Sequence, residues 1–184
     1  MSQWFKKHWG FWLLVLFLVA WTLFFVFIPP SIFIDNIGVH NTYLIAFLLA
    51  VFGGLSTLTG APFFVSIATF GAGGANPLLL GIFGGLGIFL SDSIFFLIAR
   101  RGVRVLEARS IPNIQKFSEK IAKLPPWIMY TFVLCYIGFT PFPNDLLMLA
   151  LALAGIRYLH LAPVLMVGSF SIVTLTASLG HTLF

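Results

Sequence analysis

The sequence predicts an all-α polytopic membrane protein: an inverted repeat of a re-entrant helical hairpin plus a transmembrane helix, preceded by one extra N-terminal transmembrane helix. Three observations predict this class. Hydrophobic residues make up 60% of the 184 positions and charged residues only 8%, and several apolar runs are long enough to cross a hydrocarbon core of about 30 Å. A residue pattern recurs at a fixed offset, and the basic residues cluster at two places along the chain.

The recurring pattern is T-x-x-P, an apolar run ending in Gly, and G-x-F in the next helix. Its paired positions, at one offset of 81 residues, are Thr59/Thr140, Pro62/Pro143, Gly74/Gly155, Gly87/Gly168 and Phe89/Phe170. Two copies of one membrane unit indicate a transporter-like architecture rather than a simple anchor. We therefore expect one membrane domain over 1–184, divided into 1–41 (N-terminal transmembrane helix and outer loop), 42–100 (repeat 1), 101–126 (cytoplasmic amphipathic connector) and 127–184 (repeat 2).

The first element is expected to be a transmembrane helix at about 11–33. Lys6-Lys7-His8 resembles the start of a signal peptide. The apolar run from Gly10 to Ile28 is nevertheless too long for the apolar region of such a peptide, and it lacks a small-x-small cleavage site. We therefore expect the helix to be retained and to end at Pro29-Pro30.

The net charge of +5 predicts the topology. Nine of the ten lysines and arginines lie at Lys6-Lys7 or between Arg100 and Lys123, and basic loops stay on the cytoplasmic side of a membrane. We therefore expect a multi-pass protein of the cytoplasmic membrane with its N-terminus and the 101–126 loop in the cytoplasm. Because these charges flank apolar runs, a nucleic-acid partner is not expected.

Two cytoplasmic clusters require an even number of crossings between them. The apolar runs before the second cluster supply three helices, at about 11–33, 42–56 and 77–100. The conflict disappears if the middle segment enters from the outer side and turns back. Its first helix, Thr42 to Leu55, extends only about 21 Å, and breaks are expected at 53–57 and at Gly60-Ala61-Pro62, before a second short helix to Phe70. Irregular backbone at this depth is tolerated where protein or water surrounds it.

The second copy is expected to behave in the same way from the opposite side. A short helix over 127–139 breaks at 140–143, a return helix covers 144–154, and 160–184 crosses the membrane. Each copy then makes an odd number of crossings, so the two copies must be inverted relative to each other.

The polar connector between the copies carries an amphipathic helix. Its apolar stripe consists of Ile114, Phe117, Ile121 and Leu124, with Lys116, Lys120 and Lys123 away from it. The stripe fits a helix lying on an anionic cytoplasmic leaflet. The alternative is a solvated connector supported by a Glu119–Lys123 pair.

Asp92 is the leading candidate site residue, because an acid deep in a transmembrane helix is costly and is commonly functional. Gly81 and Gly85 share its helical face and let another helix approach closely, so the carboxyl is expected to face protein rather than lipid. The alternative role is a structural hydrogen bond to the backbone of a hairpin.

Asn144 and Asp145 open the second return helix, near the expected tip of its hairpin. The alternative is ordinary capping, since both residue types are common at helix N-termini. Their depth favours a functional role, because a carboxylate in the middle of the membrane is expensive unless water or a cation reaches it.

Thr59 and Thr140 place hydroxyls at the two expected breaks. The return helices that start near Pro62 and Pro143 direct free N–H groups into one central region. Such helix ends bind anions, for example the phosphate of a lipid.

Arg100 and Arg157 lie at cytoplasmic helix ends, where anchoring at the interface is sufficient to explain them; they also suit gathering of anionic lipid. No metal-ligand spacing occurs and Cys135 is the only cysteine, so neither a metal nor a cofactor is expected.

Residues Ser91 to Arg100, S-D-S-I-F-F-L-I-A-R, resemble the pattern G-D-x3-Y-x2-G-R of the DedA/VTT-domain (SNARE-associated Golgi protein) membrane family, with Asp92 and Arg100 on its acid and base. Thr140 to Asp145, T-P-F-P-N-D, is similar to the second hairpin of that family. The resemblance covers about Thr42 to Gly180. It implies paired re-entrant hairpins in an inverted repeat and movement of lipids across the bilayer, namely carrier polyprenyl phosphates in bacteria and phospholipids in eukaryotic relatives.

The chain departs from the family at two places. The first hairpin, 60–76, has no acid, and Gly138-Phe139-Thr140 stands where the family has an arginine. Because the resemblance implies proton coupling through those residues, we expect this chain to be uncoupled or differently coupled. Asp92 and Asp145 are the acids left to serve.

These features predict a lipid translocator rather than an enzyme, with phosphate-bearing membrane lipids as partners and protons or a cation as further ligands. A membrane enzyme acting on lipid phosphates is one alternative, although His160 and His181 have no acid nearby in sequence. A structural or assembly protein without transport is the other. The sequence does not determine the oligomeric state, and a homodimer is one alternative.

Overall fold

The computed structural model describes residues 38–53, 57–105, 112–140 and 144–183. These residues form helices and no strand, so the all-α prediction is confirmed for them. The helices are α1 Val39–Gly53, α2 Thr57–Ala72, α3 Pro77–Val105, α4 Pro112–Ala122, α5 Pro126–Phe139, α6 Asp145–Leu153 and α7 Tyr158–Leu183. The predicted N-terminal transmembrane helix lies outside the described residues.

Two of the described helices, α3 and α7, are long and apolar enough to cross a membrane, over Pro77–Gly102 and Tyr158–Thr182. They pack against each other in opposite directions. Near the start of α3, Gly81 lies against Thr174, in the second half of α7. Farther along α3, the hydroxyl of Tyr158, the first residue of α7, donates a hydrogen bond of 2.9 Å to Ser93 Oγ. Because the contacts move back along α7 as they advance along α3, the two helices are antiparallel.

The short helix α1 runs beside the first half of α3 and in the same direction. The Tyr43 ring stacks on Phe83 with centroids 5.9 Å apart, and one turn later Phe47 and Ala50 lie against Gly87. At about 1.5 Å of rise per residue, this register brings Gly53, the end of α1, to about the level of Asp92.

Helix α5, in the second half of the chain, ends in a similar place. Gly138, its penultimate residue, lies beside Gly168 in the middle of α7. Both short helices thus stop alongside the middle of a long one.

Each long helix packs against short helices from both halves of the chain. Helix α3 contacts α1 from its own half and α6 from the other, while α7 contacts α5 from its own half and α2 from the other. The approach of α2 to α7 is close, because a side chain at Gly71 or Gly180 would overlap the backbone of the facing helix. Neither half therefore forms its contacts alone.

Helices α2 and α6 end in the same backbone geometry, at the offset of 81 residues. Gly74 and Gly155 follow α2 and α6 with φ of 90° and 73°, a conformation that glycine adopts without steric cost. In both turns, hydrogen bonds of 3.0 to 3.2 Å run back to the last helical turn: Gly74 to Gly71, Ala75 to Phe70, Gly155 to Ala152 and Ile156 to Leu151. This is the Schellman arrangement, which ends a helix and turns the chain.

The predicted break at Gly60-Ala61-Pro62 is wrong. Helix α2 begins at Thr57 and contains Pro62, so residues 60–62 lie inside a helix. Proline inside a helix removes one backbone donor and crowds the carbonyl four residues earlier, yet a helix can continue past it with a kink. The Ser66 hydroxyl also donates to the Pro62 carbonyl, at 2.9 Å.

The apolar stripe predicted for the connector is divided in the structure. In α4, Ile121 is buried and Ile114 packs beside it in a core that includes Phe96 and Leu161. Phe117 and Leu124 are exposed instead. Part of the stripe thus holds α4 against the bundle.

Candidate functional site

Asp92 lies in the middle of α3 with only 2% of its surface exposed. Ser91 and Ser93, its neighbours in the chain, are buried as well. Because a buried carboxyl group is costly without hydrogen bonds and the surrounding helix is apolar, its polar partners must come from other elements.

One partner is Asn144, the residue that precedes α6. Its Nδ2 donates to Asp92 Oδ2 at 3.1 Å. The Asn144 side chain makes no capping bond to its own helix. Asn144 therefore does not cap α6 with its side chain. That side chain instead binds a carboxylate 52 residues earlier in the chain.

Asp145 is the first residue of α6, and its carboxylate is close enough to Asp92 for the two negative charges to repel each other. A carboxylate at this position is favoured by the positive end of the helix dipole. The structure therefore brings three of the predicted site residues together, Asp92, Asn144 and Asp145, at the contact between α3 and α6. We call these three residues the polar centre.

Some buried polar atoms in the described part of the chain have no hydrogen-bond partner there. They are Ser91 Oγ, Asn144 Oδ1, Ser169 Oγ and Thr174 Oγ1. Leaving such a group unpaired costs about 1–3 kcal/mol. Asn144 Oδ1 belongs to the polar centre itself, so that centre retains an acceptor able to bind a donor, water or a cation.

The pair formed by Ser93 and Tyr158 is not predicted from the sequence. Ser93 Oγ donates to the Phe89 carbonyl at 2.6 Å and accepts from the Tyr158 hydroxyl at 2.9 Å. The Tyr158 ring also lies 6.0 Å from that of Phe96. No local pattern signals this contact, because the two residues are 65 positions apart.

Other predicted site residues lie outside the polar centre. The Thr140 hydroxyl donates to the carbonyl of Tyr136 in α5, the helix that ends just before Thr140. Phe63, next to Pro62, packs near Gly84, which precedes Asp92 by two turns of α3. Thr59 lies in α2 with its side chain outside the described part of the structure, and Pro143 is outside the described residues.

Arg100 and Arg157 lie at one end of the bundle. Arg100 is half-buried and follows Asp92 by eight residues, or about 12 Å along α3. Arg157 is exposed just before α7, and its carbonyl accepts from the His160 and Leu161 amides. Because α3 and α7 are antiparallel, both arginines belong to the same end.

Within the described residues, no group of three or more His, Cys, Asp or Glu side chains is placed to hold a metal ion. Comparisons with protein-family models, with curated proteins and with solved structures found no match to this chain.

Proposed function

We propose that this chain is a polytopic membrane protein that moves a phosphate-bearing lipid, either a polyprenyl phosphate or a phospholipid, between leaflets. The observation that carries the proposal is the partly buried hydrogen bond between Asp92 and Asn144. It joins the acid of an apolar, membrane-length helix to the start of a short helix from the other half of the chain. Polar groups held inside membrane-length helices commonly mark the path of a substrate or ion.

The packing of the helices supports an inverted repeat of re-entrant hairpins. In such a repeat, equivalent long helices run in opposite directions, and discontinuous helices meet near the middle of the bilayer. The antiparallel contact of α3 with α7 agrees with the first property. The ends of α1 and α5 beside the middle of the long helices agree with the second. The DedA/VTT-domain family, to which we propose that this chain is related, has the same architecture.

The charges of the polar centre determine which lipid headgroup could pass through it. The N-terminus of α6 attracts a phosphate, whereas the Asp92 and Asp145 carboxylates repel one unless a proton or cation neutralises them. We therefore propose that the phosphate crosses together with a proton or cation at this centre. Arg100 and Arg157 then gather anionic lipid at the end of the bundle.

The positions of the histidines do not favour a lipid-phosphate enzyme. His160 and His181 are exposed near opposite ends of α7, about 32 Å apart at 1.5 Å per residue. A phosphatase requires a nucleophile, an acid and phosphate-binding groups that converge on one site. The polar centre contains acids and an amide but no histidine.

The proposal is tested with purified protein in liposomes that carry a trace of headgroup-labelled phospholipid. Dithionite quenches only the outer leaflet, so quenching well beyond half of the signal reports lipid movement. We expect Asp92→Asn and Asp145→Asn to slow this movement roughly tenfold or more, which corresponds to about 1.4 kcal/mol in the barrier. Glu119→Gln, which alters an exposed acid in α4, serves as the matched control.

If phospholipid does not move, the same vesicles are tested with a labelled polyprenyl phosphate, with and without a proton gradient. Movement of neither lipid would reject translocation. Movement that is unchanged in both aspartate variants would reject the polar centre as its site.

A further inference from the structure

Helix α4 has two rows of residues with the same spacing on different faces. One row packs against the bundle and consists of Ile114, Ser118 and Ile121. The other is exposed and consists of Lys116 and Lys120 in the helix and Lys123 in the turn that follows it. Each lysine follows a member of the packed row by two residues, and a helix turns about 100° per residue, so the lysine row lies roughly opposite the packed row.

Apolar side chains border the lysine row. Phe117 is 41% exposed and Leu124 is 38% exposed, although both are large hydrophobic residues. Trp127, at the start of α5, is 72% exposed. Lysines beside exposed aromatic and aliphatic side chains are typical of helices at a membrane interface, where apolar groups enter the lipid and ammonium groups stay at the headgroups.

The lysine row lies at the basic end of the bundle. Helix α4 contacts α6, whose C-terminal end leads to Arg157, and the buried Ile121 belongs to the same core as Phe96 and Leu161. Glu119 is the one exposed acid among the described residues, so the charge of this surface complements an anionic partner. The cations at this end whose side chains the structure describes are Arg100, Arg101, Lys116, Lys120, Lys123 and Arg157.

We propose that α4 binds the anionic phospholipid headgroups of the leaflet at this end of the bundle. The lysine row contacts the phosphates, while Phe117 and Leu124 enter the lipid beside them. The packed row then joins this surface helix to α6, the element that begins at the polar centre. The inference concerns lipid binding at the surface and stands whether or not the protein moves lipid.

The first test measures which lipids stay beside the reconstituted protein. Electron spin resonance of spin-labelled phosphatidylglycerol and phosphatidylcholine gives their relative association with the full chain. We expect a preference for phosphatidylglycerol that weakens with salt. The variant K116Q/K120Q/K123Q should lower it, by up to about fivefold for each lysine in contact with the surface.

The variant K116R/K120R/K123R is the matched control, because it keeps the charge and should keep the preference. Equal selectivity in the glutamine and arginine variants would overturn the proposal. Salt-dependent binding of polyglutamate by the lysine row, with unchanged lipid selectivity, would likewise overturn it and assign the row to an acidic protein.

A second test measures how deeply residues of α4 and the turn after it enter the lipid. In a Cys135→Ser background, which removes the only cysteine, Leu124→Cys and Glu119→Cys each accept one nitroxide label. In phosphatidylglycerol vesicles, the label at 124 should be reached by oxygen dissolved in lipid and the label at 119 by a water-soluble nickel complex. Equal access of the nickel complex to both positions would contradict insertion of the apolar border.

Discussion

At the scale of single residues, the Asp92–Asn144 hydrogen bond is the contact whose loss should matter most. Asn144→Ala removes the donor and leaves a buried carboxyl group, so we expect a loss of about 1–3 kcal/mol in the free energy of unfolding. Tyr158→Phe removes a donor to Ser93, which keeps its bond to Phe89, and should cost less, about 0.5–1.5 kcal/mol. Unfolding by dodecyl sulfate in mixed micelles measures both.

The double variant Asp92→Leu/Asn144→Leu shows whether a loss of stability comes from an unpaired polar group or from disruption of the packing. Replacing both partners by apolar groups of similar shape can be nearly neutral, so it should be more stable than Asn144→Ala. An Asn144→Ala variant no less stable than Tyr158→Phe would show that the bond contributes little.

The position of Asp92 in an apolar run is sufficient to predict that it faces protein. Its partner is harder to predict, because an asparagine before a helix has the same sequence signature whether it caps that helix or reaches another one. Only the packing of α6 on α3 decides between the two. The contact between Ser93 and Tyr158 cannot be predicted for the same reason, because a pair of hydroxyl groups distant in the chain leaves no periodic pattern in the sequence.

At the scale of elements, the glycine turns after α2 and α6 lead to a prediction about stability. Gly74→Ala and Gly155→Ala each force a side chain into a positive-φ conformation, so each should cost about 1–2 kcal/mol. Gly102→Ala is the control, because Gly102 lies in α3 with open space where a Cβ would stand and alanine favours a helix by about 0.5–1 kcal/mol. Thermal unfolding followed by circular dichroism should therefore separate the two kinds of variant in sign.

The C-terminal ends of α2 and α6 can be predicted from the sequence, whereas the beginning of α2 cannot. A glycine followed by a new apolar run marks a turn clearly, as at Gly74 and Gly155. Proline is ambiguous, because it is compatible with the first turns of a helix as well as with a break. This is why the interruption expected at Pro62 is wrong.

At the scale of the whole molecule, the antiparallel pairing of α3 and α7 can be tested by cross-linking. In the Cys135→Ser background, Gly81→Cys/Thr174→Cys should form a disulfide on mild oxidation, because a Cβ at position 81 would lie 3.2 Å from that of Thr174. Gly81→Cys/Leu165→Cys is the control and should not form one. A disulfide in the control pair alone would contradict the register described above.

The exchange of short helices between the two halves has a consequence for synthesis in the cell. Asp92 is made 52 residues before the donor that pairs with it, so in the proposed topology α3 enters the membrane while its carboxyl lacks that partner. An aspartate at the centre of an inserting helix costs about 2.5–3.5 kcal/mol. We therefore expect nascent chains that stop before Asn144 to retain α3 at the insertion machinery, and longer chains to release it.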